Sequence, residues 1–368
     1  MPAVPAPDPG PDAGALWHYG DPLGEQRAAE TAAVMVDRSH RAVLTLTGGE
    51  RRAWLHNIST QHVSDLADGA STQNLSLDGQ GRVLDHWIQT ELGDISYLDT
   101  EPWRGEPLLA YLRQMVFWAD VAPDSADLAV LSLLGPLLAD QVILDTLGVA
   151  ALPPELTAAA LPGGGFVRRM PSSPKGAQTG QIELDLLVPR DSVAEWQRRL
   201  TQAGVRPAGV WAHEAHRVSA LRPRLGVDTD ERTIPHEVGW IGGPDVGAVH
   251  LDKGCYRGQE TVARVHNLGK PPRMLVFLHL DGSSDRPATG DPVLAGGRAV
   301  GRLGTVVDHV DLGPVALGLV KRGLDADTEL TTGAQSEVAA VIDADRLPPA
   351  VAAGAGRVAV ERLRGERQ

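Results

Sequence analysis

Residues 252–267 read DKGCYRGQETVARVHN, and they contain the only cysteine of this 368-residue chain. Gly254 and Gly258 bracket Cys255 so closely that the spacing favours a turn or loop over a helix. Glycine accepts positive φ and lets the backbone approach a ligand, because it has no Cβ. The residues around Cys255 are therefore predicted to form a turn or loop.

Cations flank the thiol on both sides. Lys253 and Arg257 each lie two residues from Cys255, and nearby cations favour the thiolate, which is the reactive form. One alternative is a buried, inert side chain, because free cysteine is among the most often buried residue types. A metal site formed with His250 and His266 is another, although closed structural sites normally have four ligands. A third is Cys255 as one ligand of a cluster shared with a partner. The residues alone leave these interpretations open.

The composition limits the classes of function. The length suits two or three domains, and 42% hydrophobic with 22% charged residues is ordinary for a globular protein. A formal net charge of −13 argues against direct nucleic-acid binding. No apolar run reaches the roughly 18 residues of a membrane helix. The N-terminus has no signal-peptide pattern, so a cytoplasmic location is expected.

Hydrophobic spacing predicts an α+β class. Residues 41–49 (RAVLTLTGG) alternate like a strand, and residues 50–59 place apolar side chains at helical spacing. Residues 81–90 and 94–100 are further strand candidates, and residues 107–115 form an amphipathic helical pattern. This order predicts antiparallel sheets with helices on one face.

Other segments are predicted from composition and rhythm. Residues 1–15 are rich in Pro, Ala, Gly and Asp and are expected to be a mobile tail. Residues 116–123 (VFWADVAP) are read as a strand, and residues 149–180 as a long surface connection. Residues 273–368 contain short Val/Leu-rich runs that predict a barrel or sandwich, with a last strand in residues 356–368.

A locally cationic window surrounds the cysteine segment. From Arg217 to Arg273 the chain has nine Arg or Lys and seven Asp or Glu residues. Arginine suits carboxylates because its planar fork binds them through two hydrogen bonds, so the window could receive a small anionic ligand. Alternatively, its own acids pair with these arginines; those acids include Asp228, Asp230, Glu231 and Glu237.

Asp85 is the other unusual acid. It lies inside an otherwise apolar strand pattern, and buried acids normally have partners, while paired acids in clefts often perform chemistry. A carboxylate at a strand edge that faces solvent is the plain alternative.

The run Lys253-Gly254-Cys255-Tyr256-Arg257-Gly258-Gln259-Glu260, followed by Arg264, resembles the K-G-C-Y/F-x-G-Q-E-x-x-x-R signature of the YgfZ family. These are folate-binding proteins implicated in iron–sulfur cluster maintenance. Residues 41–66, 81–85 and 226–237 also resemble segments of this family. The C-terminal part resembles the barrel of the wider GcvT-like superfamily, which includes the aminomethyltransferase (T-protein) of glycine cleavage. Residues 1–15 and 149–180 are not covered.

The resemblance implies a GcvT-like three-lobed folate-binding fold with two interleaved α+β lobes and a C-terminal β-barrel. Residues 16–48 plus 125–272 would form lobe 1, residues 49–124 lobe 2, and residues 273–368 the barrel. Tetrahydrofolate, or a one-carbon derivative, would bind in a central funnel with its pterin deepest.

The resemblance also assigns roles to residues. Cys255 and Asp85 are the candidate catalytic residues, and no metal ligand is assigned. The T-protein has two adjacent acids where this chain has Asp85-His86, lacks the cysteine, and has a pterin-contacting glutamate that is replaced near Ser219 here. The candidate cofactor-binding residues are Lys253, Tyr256, Arg257, Gln259, Glu260, Arg264, Arg217 and Glu237.

Three hypotheses follow. The leading one is a tetrahydrofolate-binding accessory protein that supports iron–sulfur cluster assembly or repair, with Cys255 as the functional thiol and iron–sulfur enzymes or assembly proteins as partners. Three roles of Cys255 stay open under this hypothesis: exchange with an oxidised thiol, handling of a folate-derived one-carbon unit, and ligation of iron in a complex. The alternative is a folate-dependent aminomethyltransferase, in which Asp85 orients or deprotonates the substrate amine. The third is a scaffold that has lost its ligand. Whether the protein is an enzyme is left open.

Overall fold

A computed structural model describes residues 2–268, 270–283, 285–334 and 337–347 of the chain. The predicted last strand, residues 356–368, lies outside them. None of the described helices is long and apolar enough to cross a membrane. The chain divides into two compact units: a first unit of Met1–His56, His62–Asn74 and Asp85–Ala220, and a second unit of Asn57–Gln61, Leu75–Leu84 and Leu221–Gln368.

Strands and helices alternate in the first two thirds of the chain, and strands dominate the last third. The strands are β1 (Val4–Pro5), β2 (Leu16–His18), β3 (Val34–Asp37), β4 (Ala42–Thr47), β5 (Ser71–Leu77), β6 (Val83–Leu92), β7 (Ile95–Thr100), β8 (Ala122–Ser125), β9 (Leu128–Leu134), β10 (Ala158–Ala160), β11 (Phe166–Arg169), β12 (Glu183–Pro189), β13 (Arg206–Ala208), β14 (Arg273–Leu280), β15 (Pro292–Ala295), β16 (Arg298–His309), β17 (Gly313–Lys321), β18 (Leu330–Thr332) and β19 (Val338–Ile342).

The helices are mostly short and amphipathic. The α-helices are α1 (Pro22–Thr31), α2 (Arg51–Ile58), α3 (Gly105–Met115), α4 (Gln141–Leu147), α5 (Pro174–Thr179), α6 (Val193–Gln202), α7 (Val210–Ser219) and α8 (Gln259–Leu268). Single 3-10 turns are found at Pro102–Arg104, Pro136–Ala139, Arg190–Ser192, Pro235–Glu237 and Ala344–Arg346.

The first unit is built on a six-stranded sheet in the order β10-β11-β12-β9-β3-β13. Its pairs are antiparallel except for β13, which runs parallel to β3. Strand β9 is buried on both faces: Leu131 and Leu133 pack with Trp196 of α6, whereas Val130 packs with Phe166. This alternation follows from the two-residue period of a strand. A second sheet has the order β5-β6-β7-β4-β8, in which the pairs β6-β7, β7-β4 and β4-β8 are antiparallel.

A buried ion network joins the two sheets within the first unit. Arg168 of β11 is fully buried and donates to Asp99 Oδ1 of β7 at 2.7 Å and to Asp185 Oδ2 of β12 at 2.8 Å. Arg41 donates to the other oxygen of Asp99 at 3.1 Å. Burial alone would raise the pKa of the Asp99 carboxyl, but Arg168 and Arg41 lower it below its usual range. The buried charges of the network are therefore paired with one another.

The second unit contains the closed β-barrel, in the order β14-β17-β16-β15-β18-β19. Met274, Val276, Leu278 and Leu280 alternate along β14 and fill the barrel interior. The predicted C-terminal barrel is thereby confirmed over the described residues. The predicted lobe boundaries stay a prediction; in the division by contacts, residues 221–272 fall in the same unit as the barrel.

The predicted mobile tail, residues 1–15, is wrong over its described part. Strand β1 pairs with β2, and Ala6 and Ala15 are buried in the core of the first unit. The carboxylate of Asp12 lies 3.1 Å from His40 Nε2. Small and proline residues that read as a flexible tail can pack closely against a helix pair, because alanine needs little space.

Two further predictions need correction. In residues 116–123 only the end joins a strand, β8, and the aromatic pair Phe117 and Trp118 is exposed, Trp118 by 99%. Two adjacent aromatic side chains point to opposite faces in a strand, so both cannot enter one core. The predicted surface connection, residues 149–180, contains β10, β11 and α5, and its Phe166 is fully buried.

Replacing Arg168 by methionine should lower the free energy of unfolding by about 3–5 kcal/mol, because two buried carboxylates lose their cation. The matched control is Arg190→Met, since Arg190 makes an exposed ion pair with Asp127 at 3.4 Å. That control should change stability by at most about 1 kcal/mol. Urea unfolding of both variants checks the difference, and equal effects would contradict the role given to the network.

Candidate functional site

Residues 252–258 form a loop, as predicted for the residues around Cys255, and the rest of the segment belongs to helix α8 of the second unit. Buried and exposed side chains alternate along it. Lys253 and Tyr256 are buried, whereas Cys255 and Arg257 are exposed. The interpretation of Cys255 as a buried, inert side chain is therefore wrong. The loop displays its thiol at the surface while its neighbours hold it to the fold.

Lys253 fastens the start of the loop. Its Nζ donates to the main-chain oxygens of Ser59 at 2.6 Å and Gln61 at 3.1 Å, and it lies 5.4 Å from the centroid of the Tyr256 ring. Burial lowers the pKa of Lys253 to about 8, while the two carbonyl acceptors favour the ammonium form. Because this amine faces inward, Arg257 is the flanking cation that is exposed beside the thiol.

Two glycines fasten the other end of the loop. Gly258 has φ +84°, and a Cβ added there would lie 2.7 Å from Asp78 O and 2.9 Å from Gly81 Cα. Gly81 has φ +77°, and its added Cβ would lie 2.9 Å from Thr261 Cβ. The turn before β6 therefore packs directly against the start of α8, and glycine is required on both sides of the contact.

Helix α8 carries the remaining predicted residues of the motif. Gln259 closes the loop on itself, because its Nε2 donates to Lys253 O at 3.3 Å and its main-chain N–H to Tyr256 O at 3.2 Å. Glu260 and Arg264 lie on exposed positions of the helix. Their side chains are therefore accessible to a ligand or partner.

A pocket of about 420 Å³ opens between α8 and the residues before the loop. Its polar lining residues are Asp252, Tyr256, Gln259, His266 and Asn267. The Tyr256 hydroxyl is buried and has no hydrogen-bond partner among the described residues. Burial raises the pKa of Tyr256 to about 12, so the hydroxyl is a donor near neutral pH. A ligand group could satisfy it.

His266, a candidate metal ligand, lies near a second histidine. His266 lies against His236, with ring centroids 6.1 Å apart. Burial and the proximity of His266 lower the pKa of His236 to about 4. In the described parts of the chain, no group of three or more His, Cys, Asp or Glu side chains is arranged to hold a metal ion.

Glu237 and Arg217 are engaged in internal ion pairs. Glu237 is buried, and Arg273 donates to both of its carboxylate oxygens at 2.9 and 2.8 Å. Arg273 also binds Asp230; burial raises the pKa of Asp230, but hydrogen bonds from Arg273 and Thr233 lower it to about 2. Asp230 and Glu237 therefore pair with an arginine of the cationic window, as one of the alternatives proposed.

Arg217 lies in the first unit, on α7. It is buried and donates from Nε to Glu214 Oε1 at 2.8 Å and from Nη2 to Glu214 Oε2 at 2.5 Å. Binding of a cofactor by Arg217 or Glu237 stays a prediction, and it would have to coexist with these pairs.

Asp85 is buried on β6 of the first unit and forms an ion pair with Arg104. Nε and Nη2 of Arg104 donate to Asp85 Oδ1 at 2.8 and 2.6 Å. The solvent-facing alternative for Asp85 is therefore wrong. Burial, followed by the charge of Arg41, lowers the pKa of the adjacent His86 to about 4, so His86 is neutral near pH 7.

The sequence did not indicate which residues form ion pairs or hydrogen bonds with the candidate site residues. Arg104 carries no sequence signal, because it lies in a 3-10 turn beyond the strand that it serves. Arg273 was counted among the cations, but nothing in the spacing indicates which acids it binds. The carbonyl acceptors of Lys253 belong to residues nearly 200 positions earlier.

Comparisons with known proteins agree on the fold. No protein-family model matches the chain. An aminomethyltransferase of Stenotrophomonas maltophilia is 28% identical over 265 residues, which cover 68% of this chain and 70% of that protein. An aminomethyltransferase of Herpetosiphon aurantiacus is 27% identical over 332 residues, which cover 87% and 86%.

The solved structure of glycine cleavage system aminomethyltransferase T from Bartonella henselae matches with a TM-score of 0.80 at 19% identity. The match covers 96% of this chain and 95% of that chain. The chain therefore has the GcvT-like aminomethyltransferase fold, which confirms the predicted α+β class. The YgfZ subfamily is a finer assignment and stays a prediction.

Replacing Gly258 by alanine should destabilise the protein by at least about 1–3 kcal/mol, because a left-handed backbone is strained in other residues and the new methyl group would meet Asp78 O. Gly254→Ala is the matched control in the same loop, since no atom lies within 4 Å of its added Cβ. That control should stay within about 0.5 kcal/mol of the wild type. Thermal unfolding compares them; a neutral Gly258→Ala would contradict the close contact.

Proposed function

We propose that this protein binds tetrahydrofolate or one of its one-carbon derivatives. The observation that carries the proposal is the fold, which it shares over 96% of its length with an aminomethyltransferase T. Two curated relatives that cover most of the chain are also aminomethyltransferases. The families that the cysteine motif and the barrel resemble bind tetrahydrofolate.

The pocket beside Tyr256 supports this proposal. A volume of about 420 Å³ lies in the range of small-molecule sites. The unpartnered Tyr256 hydroxyl and the amides of Gln259 and Asn267 offer hydrogen bonds to a polar heterocycle. Arg257 and Arg264 are exposed on the adjoining loop and helix. They are suited to the carboxylates of a glutamate tail, because guanidinium groups bind carboxylates bidentately.

Aminomethyl transfer is the reaction that the names of the relatives favour. In it, the residues around the pocket would hold tetrahydrofolate, whose nitrogens would supply the acceptor for the methylene group, while ammonia and the free carrier would be released. Asp85 would hold the substrate amine by a hydrogen bond. A general base must lie within hydrogen-bond distance of the proton that it removes. The two hydrogen bonds from Arg104 fix the orientation of the Asp85 side chain, so Asp85 is suited to orienting an ammonium or amine group.

A specific observation favours a second candidate, an accessory role in iron–sulfur cluster assembly or repair. Cys255 is exposed on a loop that is fastened at both ends, by Lys253 and by Gly258. Aminomethyl transfer does not require a thiol, whereas exchange with an oxidised thiol on an iron–sulfur enzyme or assembly protein does. Arg257, two residues further along the loop, is also exposed.

Tetrahydrofolate should stabilise the protein. At about 100 times its Kd, a ligand that binds only the folded state adds about 2.7 kcal/mol, which thermal unfolding detects. Tyr256→Phe removes only the hydroxyl, and loss of one hydrogen bond should weaken binding by roughly tenfold. Absence of any shift at saturating tetrahydrofolate would favour a scaffold that has lost its ligand.

Two substitutions separate the candidate activities. With tetrahydrofolate and an aminomethylated carrier protein, aminomethyl transfer predicts turnover that falls by about 10²-fold or more in Asp85→Asn and persists in Cys255→Ala. The accessory role predicts no turnover, retained folate binding, and loss of iron–sulfur enzyme activity in cells that carry Cys255→Ala. Full cellular activity of Cys255→Ala would remove Cys255 from the mechanism.

A further inference from the structure

Lys253 contacts a short segment that also holds the chain before the cysteine loop. We call residues 59–61 the anchor segment; all three are buried. The Gln61 Nε2 donates to Gly242 O at 3.2 Å and to Gly247 O at 2.8 Å. The side-chain amide of Gln61 therefore connects Gly242 and Gly247.

Thr60 makes the next connections. Its Oγ1 donates to Ala248 O at 2.7 Å, and its main-chain oxygen accepts from His250 N at 3.0 Å. With the bonds from Lys253 Nζ to Ser59 O and Gln61 O, these six hydrogen bonds connect the anchor segment to residues 242, 247, 248, 250 and 253.

The stretch that the anchor segment holds has little regular structure. Between the 3-10 turn at Pro235–Glu237 and α8, only isolated bridges at Ile241, Gly242 and Val249 are assigned. Its conformation therefore depends on side-chain bonds such as those of Thr60 and Gln61 rather than on a sheet ladder. Side-chain hydrogen bonds hold a functional group in one orientation when they are buried and when each polar group in them has a partner.

We infer that Thr60 and Gln61 are positioning residues for Cys255. Neither belongs to the cysteine motif. They fix the stretch that ends at Lys253, two residues before the thiol, while Gly258 fixes the chain after it. The inference rests on the proposed function of Cys255, but the position of the loop can be measured without any assay of folate binding or activity.

The test uses a nitroxide spin label on Cys255 of the full-length chain. Because Cys255 is the only cysteine, the spectrum reports one site on the nanosecond scale of loop motion. The wild type should give a single restricted component. Thr60→Val, which keeps the shape but loses the hydroxyl, and Gln61→Met, which loses the amide, should each add a more mobile component.

Two controls separate positioning from general loss of stability. Thr60→Ser keeps the hydroxyl and should restore the wild-type spectrum. Gln89→Met makes the same change as Gln61→Met at an equally buried glutamine of the first unit, whose Nε2 donates to Glu91, and should leave the label restricted. Unchanged spectra in Thr60→Val and Gln61→Met, or the same mobile component in Gln89→Met, would overturn the inference.

Discussion

The buried ammonium of Lys253 is the interaction on which the cysteine loop depends. Water is replaced around this group by two main-chain oxygens and the face of Tyr256, and a buried cation without such partners would be strongly unfavourable. In the loop, Lys253 and Tyr256 are buried and Cys255 between them is exposed. Burial of these two neighbours holds the loop with its thiol at the surface.

The buried acids follow the same rule, that a buried charge needs a partner. Asp85, Glu237 and Asp99 are all buried, and each is matched by an arginine: Arg104, Arg273 and Arg168 respectively. Charges that stand out in the sequence thus largely neutralise one another inside the protein. Among the residues that the sequence assigns to the site, Cys255, Arg257, Glu260 and Arg264 are the exposed ones, and they lie on the cysteine loop and α8.

Periodicity predicted β4, α2, α3 and the barrel, because those elements present regular apolar faces. Periodicity did not predict which polar residues are buried, because their burial depends on ion pairs and hydrogen bonds with distant parts of the chain. Arg168 lies fully buried in a segment read as a surface connection, since its partners on β7 and β12 cannot be located from sequence. The cysteine motif indicated a loop and the fold, but not that Lys253 faces inward, because its acceptors are carbonyls of the distant anchor segment.

The central claim is that a reduced folate binds to a protein whose single thiol is accessible beside the binding groups. The most direct measurement is the alkylation rate of Cys255 at increasing tetrahydrofolate concentration. A rate that changes saturably, with the same Kd that calorimetry gives for folate binding, is the predicted result. A rate that stays constant at folate concentrations that saturate the protein would contradict the account.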